Sequence, residues 1–253
     1  MDPARPALNR RAALLLAAPP ALFLAVFFVW PVASIVLRGL LPEGGFQAGA
    51  VLAVWTRPAT LQVLAFTLAL AVGCTAITLL VGMPAAWVFA RFAFPGKAVA
   101  RALVTVPFVL PTVVVASAFL ALLGPRSPIN SLLEAVLGPD APRLRLDGST
   151  VAIVLASVFY NIAVVIRLVG GLWAHLDPRA EEAARMLGAS PWRAFRQVTW
   201  PLLRPAVLSA TSIVLLFTLT SFGIVLLLGA PGQATLEVEI YRQTAVLLDL
   251  GAA

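Results

Sequence analysis

Charge is scarce in this chain. Of its 253 residues only 11% are Asp, Glu, Lys or Arg, and 61% are hydrophobic, whereas an ordinary soluble domain carries roughly 25% charged residues. A soluble core cannot absorb that much apolar surface, so most of it must face lipid, and the chain reads as an integral membrane protein. Cys74 is the only cysteine and lies inside an apolar run, which excludes an intrachain disulfide and a cysteine-built metal cage. His175 is the only histidine and has no companion ligand nearby, so it reads as an interfacial cap rather than a metal ligand. None of the apolar runs contains Asp, Glu or His, so paired acids, a Ser with a base, or a metal site inside the spans are all missing, and no catalytic residue is expected. The net charge of +7 would fit nucleic acid if the basic residues formed a patch interleaved with aromatics. They sit instead in short clusters at the ends of apolar runs, and no nucleic-acid partner is expected.

What is present is a series of long apolar runs. A spanning helix needs about 20 mostly apolar residues. Spans are expected at about 12–37, 61–90, 102–123, 150–174 and 206–229, which makes an all-α polytopic protein with five transmembrane helices. The first run is too long for a cleavable signal, whose apolar region is about 7 to 15 residues, and Pro19, Pro20 and Pro31 predict a kink in it.

Eleven of the 18 lysines and arginines fall in three stretches that alternation puts on one side. These are Arg5, Arg10 and Arg11; Arg91, Lys97 and Arg101; and Arg179, Arg185, Arg193, Arg196 and Arg204. Positive residues stay cytoplasmic. The expected topology is therefore an N-terminus inside, the 175–205 segment inside, and the long connections 38–58 and 126–148 outside. Five crossings leave Leu250 to Ala253 outside, where a sixth apolar run could begin, so a truncated unit is expected.

The 175–205 segment is folded and charged. Asp177 followed by Pro178 is a helix start, Gly188 a left-handed stop, and Ser190-Pro191 a second start, with Pro201 expected to end the second helix. Ala183 and Ala184 leave a low patch on the first helix, so another protein can approach its backbone. The alternative is a segment lying on headgroups through Trp192, Phe195 and Trp200, but Glu181 and Glu182 would be repelled by an anionic leaflet. Docking to a soluble partner is the favoured reading.

These residues match a known pattern. Glu182-Ala183-Ala184, Gly188 four positions later, then Val198 and Pro201 resemble the "EAA" loop of ABC importer permeases, with Val198 standing for an isoleucine and Trp200 departing from a leucine. The resemblance implies a single permease domain over 1–253 that is one six-helix unit lacking its last helix. It makes 175–205 a cytoplasmic coupling helix-turn-helix for an ATP-binding subunit. No G-x-x-x-x-G-K-[ST] motif occurs, so ATP hydrolysis falls to that separate subunit and no cofactor is expected. The other implied partners are an external or periplasmic binding protein, a second permease half or homologous subunit, and the lipid bilayer. The implied location is the inner membrane.

Phe159-Tyr160-Asn161-Ile162 with Arg167, Ser221-Phe222-Gly223, and Gln233 through Tyr241 narrow the resemblance to the N-terminal half of thiamine permeases. Related iron(III) permeases, or importers of another small solute such as a polyamine or a sulfate-like anion, are the alternatives. A passive channel is the rival from a different class. Ser209, Ser212, Thr220 and Gly223 fall within about an 80° arc of the fifth helix and are candidates for a polar path, as is Asn161 of the fourth; close helix packing is the competing role. Arg167, about 12 Å of helix before His175, is expected to snorkel to the interface. The segment 235–241 reads as a surface strand or an interfacial turn.

Overall fold

The computed structural model describes residues 10–40, 48–139, 141–143 and 145–247. Arg5 and the last residues, Leu250 to Ala253, lie outside the described residues. Among those described there are only helices, and five stretches are long and apolar enough to cross a membrane: Leu14–Leu37, Pro58–Arg91, Thr112–Leu137, Thr150–His175 and Pro191–Leu219. The all-α, multi-pass reading is what the chain shows.

Two compact units are distinguished, Met1–Thr60 with Ile240–Ala253, and Leu61–Glu239. In the first, α1 (Arg10–Leu24) passes through a π-helical turn (Ala25–Val29) into α2 (Trp30–Leu40), and α3 (Ala48–Thr56) follows. The amide of Trp30 reaches back five residues to Ala25, one residue more than in an α-helix, immediately before Pro31. Proline has no N–H to give and its ring clashes with the carbonyl four residues back; widening that turn relieves the clash.

The second unit holds α4 (Pro58–Arg91), α5 (Lys97–Val109), α6 (Thr112–Leu123), α7 (Pro128–Leu137), α8 (Thr150–His175), α9 (Pro178–Met186), α10 (Pro191–Ala194), a π-helical turn (Phe195–Thr199), α11 (Trp200–Leu219) and α12 (Gly223–Leu228), with α13 (Leu236–Tyr241) at its boundary. Helix α8 is apolar almost all round, as a helix surrounded by neighbours must be, and it contributes to both cores. One core joins Leu70 and Cys74 of α4, Ala116 of α6, Ile153 and Ala156 of α8, and Ile224 and Leu228 of α12. The other joins Ala86 of α4, Val165, Val169 and Trp173 of α8, and Leu203, Ala210 and Val214 of α11. Small residues set the spacing: a Cβ built on Gly82 would lie 2.8 Å from Val165 Cβ, and one on Gly170 would lie 3.3 Å from the Ala86 carbonyl. In lipid, where burial gives no hydrophobic gain between helices, such close approach is what holds them together.

Three expectations are corrected. The 102–123 span is not one helix, because Leu110 is extended (ψ 143°) ahead of Pro111, the conformation a following proline imposes; α5 and α6 result. Nor is 206–229 continuous: α11 ends at Leu219, and Thr220, Ser221 and Phe222 separate it from α12. Finally, 236–241 is a helix rather than a strand or turn. The Glu239 amide bonds the Thr235 carbonyl at 2.9 Å, and Glu237 and Glu239 occupy its first turn, where the helix dipole favours acids. Leu236 and Ile240 are four apart as well as two-periodic, so the alternation never excluded a helix.

Candidate functional site

The charged hairpin between α8 and α11 follows from its capping residues. Asp177 Oδ1 accepts from the Arg179 amide at 3.0 Å, with Pro178 in the first turn. At the other end of α9 the Ala189 amide bonds the Ala184 carbonyl at 3.1 Å and the Gly188 amide bonds the Arg185 carbonyl at 3.0 Å, the paired bonds of a Schellman stop. Gly188 has φ +90°, and no atom lies within 4 Å of a Cβ built there; the backbone, not crowding, requires glycine. Ser190 Oγ then accepts from the Arg193 amide at 3.3 Å and starts α10. His175 behaves as a cap, its Nδ1 2.7 Å from the Gly171 carbonyl, to which an Nδ1–H donates.

The base of the hairpin is tied to the helices. The Thr199 hydroxyl donates to Glu181 Oε2 at 2.8 Å, and Arg91 Nη2, at the end of α4, lies 3.9 Å from the same oxygen. Phe195 stacks on Trp173 of α8 at 5.9 Å and on Trp192 at 5.6 Å, and meets Trp200 at 6.3 Å. The ion pair is partly exposed and adds little; the hydrogen bond to a carboxylate and the aromatic contacts carry the attachment. Glu181 thus ties α9 to Thr199 and, more weakly, to Arg91 of α4, while Phe195 joins the turn after α10 to α8 and α11.

The tip has no such contacts. Met186 is 90% and Leu187 89% exposed, beside exposed Glu182 and Ala183 and half-buried Ala184. Burying two large apolar side chains of this kind stabilises a complex by about 1.5–3 kcal/mol each. Val198 is half-buried. Pro201 does not end the second helix: α10, the π-helical turn and α11 run on as one stretch from Pro191 to Leu219. The Trp200 amide reaches back to Phe195, so the wide turn before a Trp-Pro pair recurs as at Trp30-Pro31. Thr199, Met186 and Leu187 escaped the sequence reading, and Glu181 entered it only as a charge repelled by the leaflet. Glu181 and Glu182 are indistinguishable by type, and only the 100° step of the helix decides which turns inward.

The polar-path candidates separate. Ser209, Ser212 and Thr220 are exposed, with Ser209 and Thr220 donating to their own helix at Pro205 and Leu216. Gly223 is buried on the other side of the helix break. A Cβ there would lie 2.7 Å from Thr112 Oγ1 and 3.0 Å from the Val113 nitrogen, so its role is close packing against α6. Asn161 is 2% exposed, and its Nδ2 donates to the Ser157 carbonyl at 3.0 Å and to Thr218 Oγ1 of α11 at 3.5 Å.

Residues 78–252 match the family described as binding-protein-dependent transport system inner membrane components. The chain belongs to that family. It is thus a transport permease, not an enzyme, and as the permease subunit of an ABC importer it works with a binding protein and an ATPase partner. The permease is 32% identical over 252 residues, 98% of its length and 87% of the relative's, to a Salmonella typhimurium protein named as a 2-aminoethylphosphonate transport system permease. It is 34% identical over 184 residues, 72% of its length and 79% of the relative's, to a molybdenum transport system permease of Azotobacter vinelandii. A Marchantia polymorpha protein named for sulfate transport is 28% identical over 173 residues, 68% of this chain and 58% of that one. Among solved structures, a bacterial ABC transporter involved in alginate import superposes with TM-score 0.78 at 16% identity, covering 96% of the permease and 88% of that chain. At that identity the likeness is one of fold.

Proposed function

We propose that the permease carries a small oxyanion or phosphonate inward, from an external binding protein, with the 175–205 hairpin on the cytoplasmic side as the contact for the ATP-binding subunit. The observation that carries the coupling role is the hairpin's division into a tied base and an exposed apolar tip. ATP-driven closure of the motor subunit moves the hairpin, and the contacts of Glu181 with Thr199 and Arg91 and of Phe195 with Trp173 and Trp200 pass that motion to α4, α8 and α11, which alternates access between the two faces. Support for the cargo class comes from the relatives, which are named for 2-aminoethylphosphonate, molybdenum and sulfate. They favour the sulfate-like anion over thiamine or iron(III).

The test is uptake into proteoliposomes holding the permease, its second permease subunit and the ATPase, with ATP inside and the binding protein outside. Labelled sulfate, molybdate, 2-aminoethylphosphonate, thiamine and iron(III) are offered separately. ATP- and binding-protein-dependent uptake of one of the anions is expected. Uptake of thiamine alone would restore the thiamine reading, and nucleotide-independent equilibration would make the chain a channel.

A further inference from the structure

One charged side chain on the apolar helices of the second unit, that of Arg167, is exposed and faces an open pocket. Arg167 of α8 lines an open pocket of about 330 Å³ with Thr105 and Phe108 of α5, Val164 of α8, and Ile213 and Phe217 of α11. That volume is at the small end of ligand sites. Arg167 stands eight residues before the end of α8, and Thr105 eight residues after the start of the antiparallel α5, so both lie about 12 Å from the charged ends of their helices. This depth is within the hydrocarbon layer, about 30 Å thick.

The pocket's chemistry is one-sided. Among the described residues the ion pair is that of Arg91 with Glu181, and no carboxylate faces Arg167 across the pocket. The Thr105 hydroxyl already donates to the Arg101 carbonyl at 2.8 Å, which leaves the guanidinium as the side-chain donor. Phe108 contacts Phe217 and Tyr160, each at 5.8 Å, which keeps that wall apolar. A guanidinium presents a planar fork of donors matched to two oxygens of a tetrahedral or planar oxyanion. An unpaired charge at this depth is a functional feature by default.

We propose that Arg167 is the anion-selecting residue of the translocation path, pairing transiently with the oxygens of the cargo as it passes between α5, α8 and α11. This rests on the oxyanion reading above and assigns it a residue. A single donor group on an apolar wall gives a weak site, and passage requires a site that fills and also empties.

The test uses the whole transporter in proteoliposomes with its binding protein and labelled sulfate, molybdate or 2-aminoethylphosphonate, whichever the unaltered complex takes up. Arg167→Gln is expected to lower uptake roughly tenfold to a hundredfold, the range for a lost hydrogen bond to a charged group, while binding-protein-stimulated ATP hydrolysis persists. Arg167→Lys should recover part of the uptake. Ile213→Glu keeps Arg167 but sets a carboxylate across the pocket, and it should block uptake without loss of assembly. Anion uptake by Arg167→Gln at the unaltered rate would overturn the assignment while leaving the oxyanion reading standing. Loss of assembly and ATP hydrolysis in Arg167→Gln, with normal uptake in Ile213→Glu, would also overturn it, in favour of a structural or lipid-phosphate contact. No anion uptake by the unaltered complex would instead be the failure of the oxyanion reading itself.

Discussion

Truncating the hairpin tip separates docking from folding. Met186 and Leu187 are 90% and 89% exposed, so Met186→Ala with Leu187→Ala removes almost no contact within the permease, and its thermal midpoint should stay where a neutral surface change leaves it, within about 0.5 kcal/mol. If the tip seats in the ATPase subunit, each side chain contributes about 1.5–3 kcal/mol on burial. Alanine keeps only the Cβ, so the double variant should lose roughly 2–4 kcal/mol in all, which weakens the complex roughly 30- to 1,000-fold. The assay is a titration of the purified ATPase subunit onto the permease in nanodiscs, with the thermal midpoint of the permease alone as control. An affinity within threefold of the unaltered permease, at unchanged stability, would refute the docking argument.

Other outcomes follow from the hairpin's base and turn. Thr199→Val removes the 2.8 Å hydrogen bond to Glu181; with the site partly exposed the loss is about 1 kcal/mol. ATPase binding should persist while the number of ATP molecules hydrolysed per anion imported rises, read from parallel hydrolysis and uptake rates. Gly188→Val places a β-branched residue at φ +90° and should cost about 1–2 kcal/mol, seen as faster proteolysis at the hairpin and weaker ATPase binding. Asn161→Ala loses a 3.5 Å contact with Thr218, and interhelical hydrogen bonds in membranes average about 0.6 kcal/mol. A small drop in thermal midpoint with uptake retained is expected, whereas abolished uptake at unchanged stability would return Asn161 to the path.

The hairpin was legible because capping is local chemistry. Asp177-Pro178, Gly188 and Ser190-Pro191 each satisfy backbone groups within a few residues, so their types announce the turn. The spans were legible by length, but their interruptions were not. Pro111 breaks a helix while Pro31 and Pro201, each after a π-helical turn, do not, and Pro84 and Pro205 lie inside helices without such a turn, so a proline by itself does not mark a break. Gly223 looked like part of a small-residue stripe only while α11 was taken to be continuous. The partition of Glu181 and Glu182, one tied inward to Thr199 and one exposed, depends on the rotation of a nine-residue helix against its neighbours, which is a tertiary property. Met186 and Leu187 carried a signal that pattern reading passed over: two large apolar residues just before the turn glycine of a charged helix, with nothing in the hairpin to cover them.

The central claim is that this hairpin faces the cytosol and meets the motor subunit. Its most direct measurement is a cysteine at Ala183 in a Cys74→Ala permease, assembled with the ATPase in inside-out membrane vesicles. The account predicts labelling by a membrane-impermeant maleimide in these vesicles, protection from that label when the ATPase is bound, and a crosslink to the ATPase whose yield changes with ATP. Labelling confined to right-side-out vesicles, or a residue that reacts freely with the ATPase in place and never crosslinks to it, would contradict it.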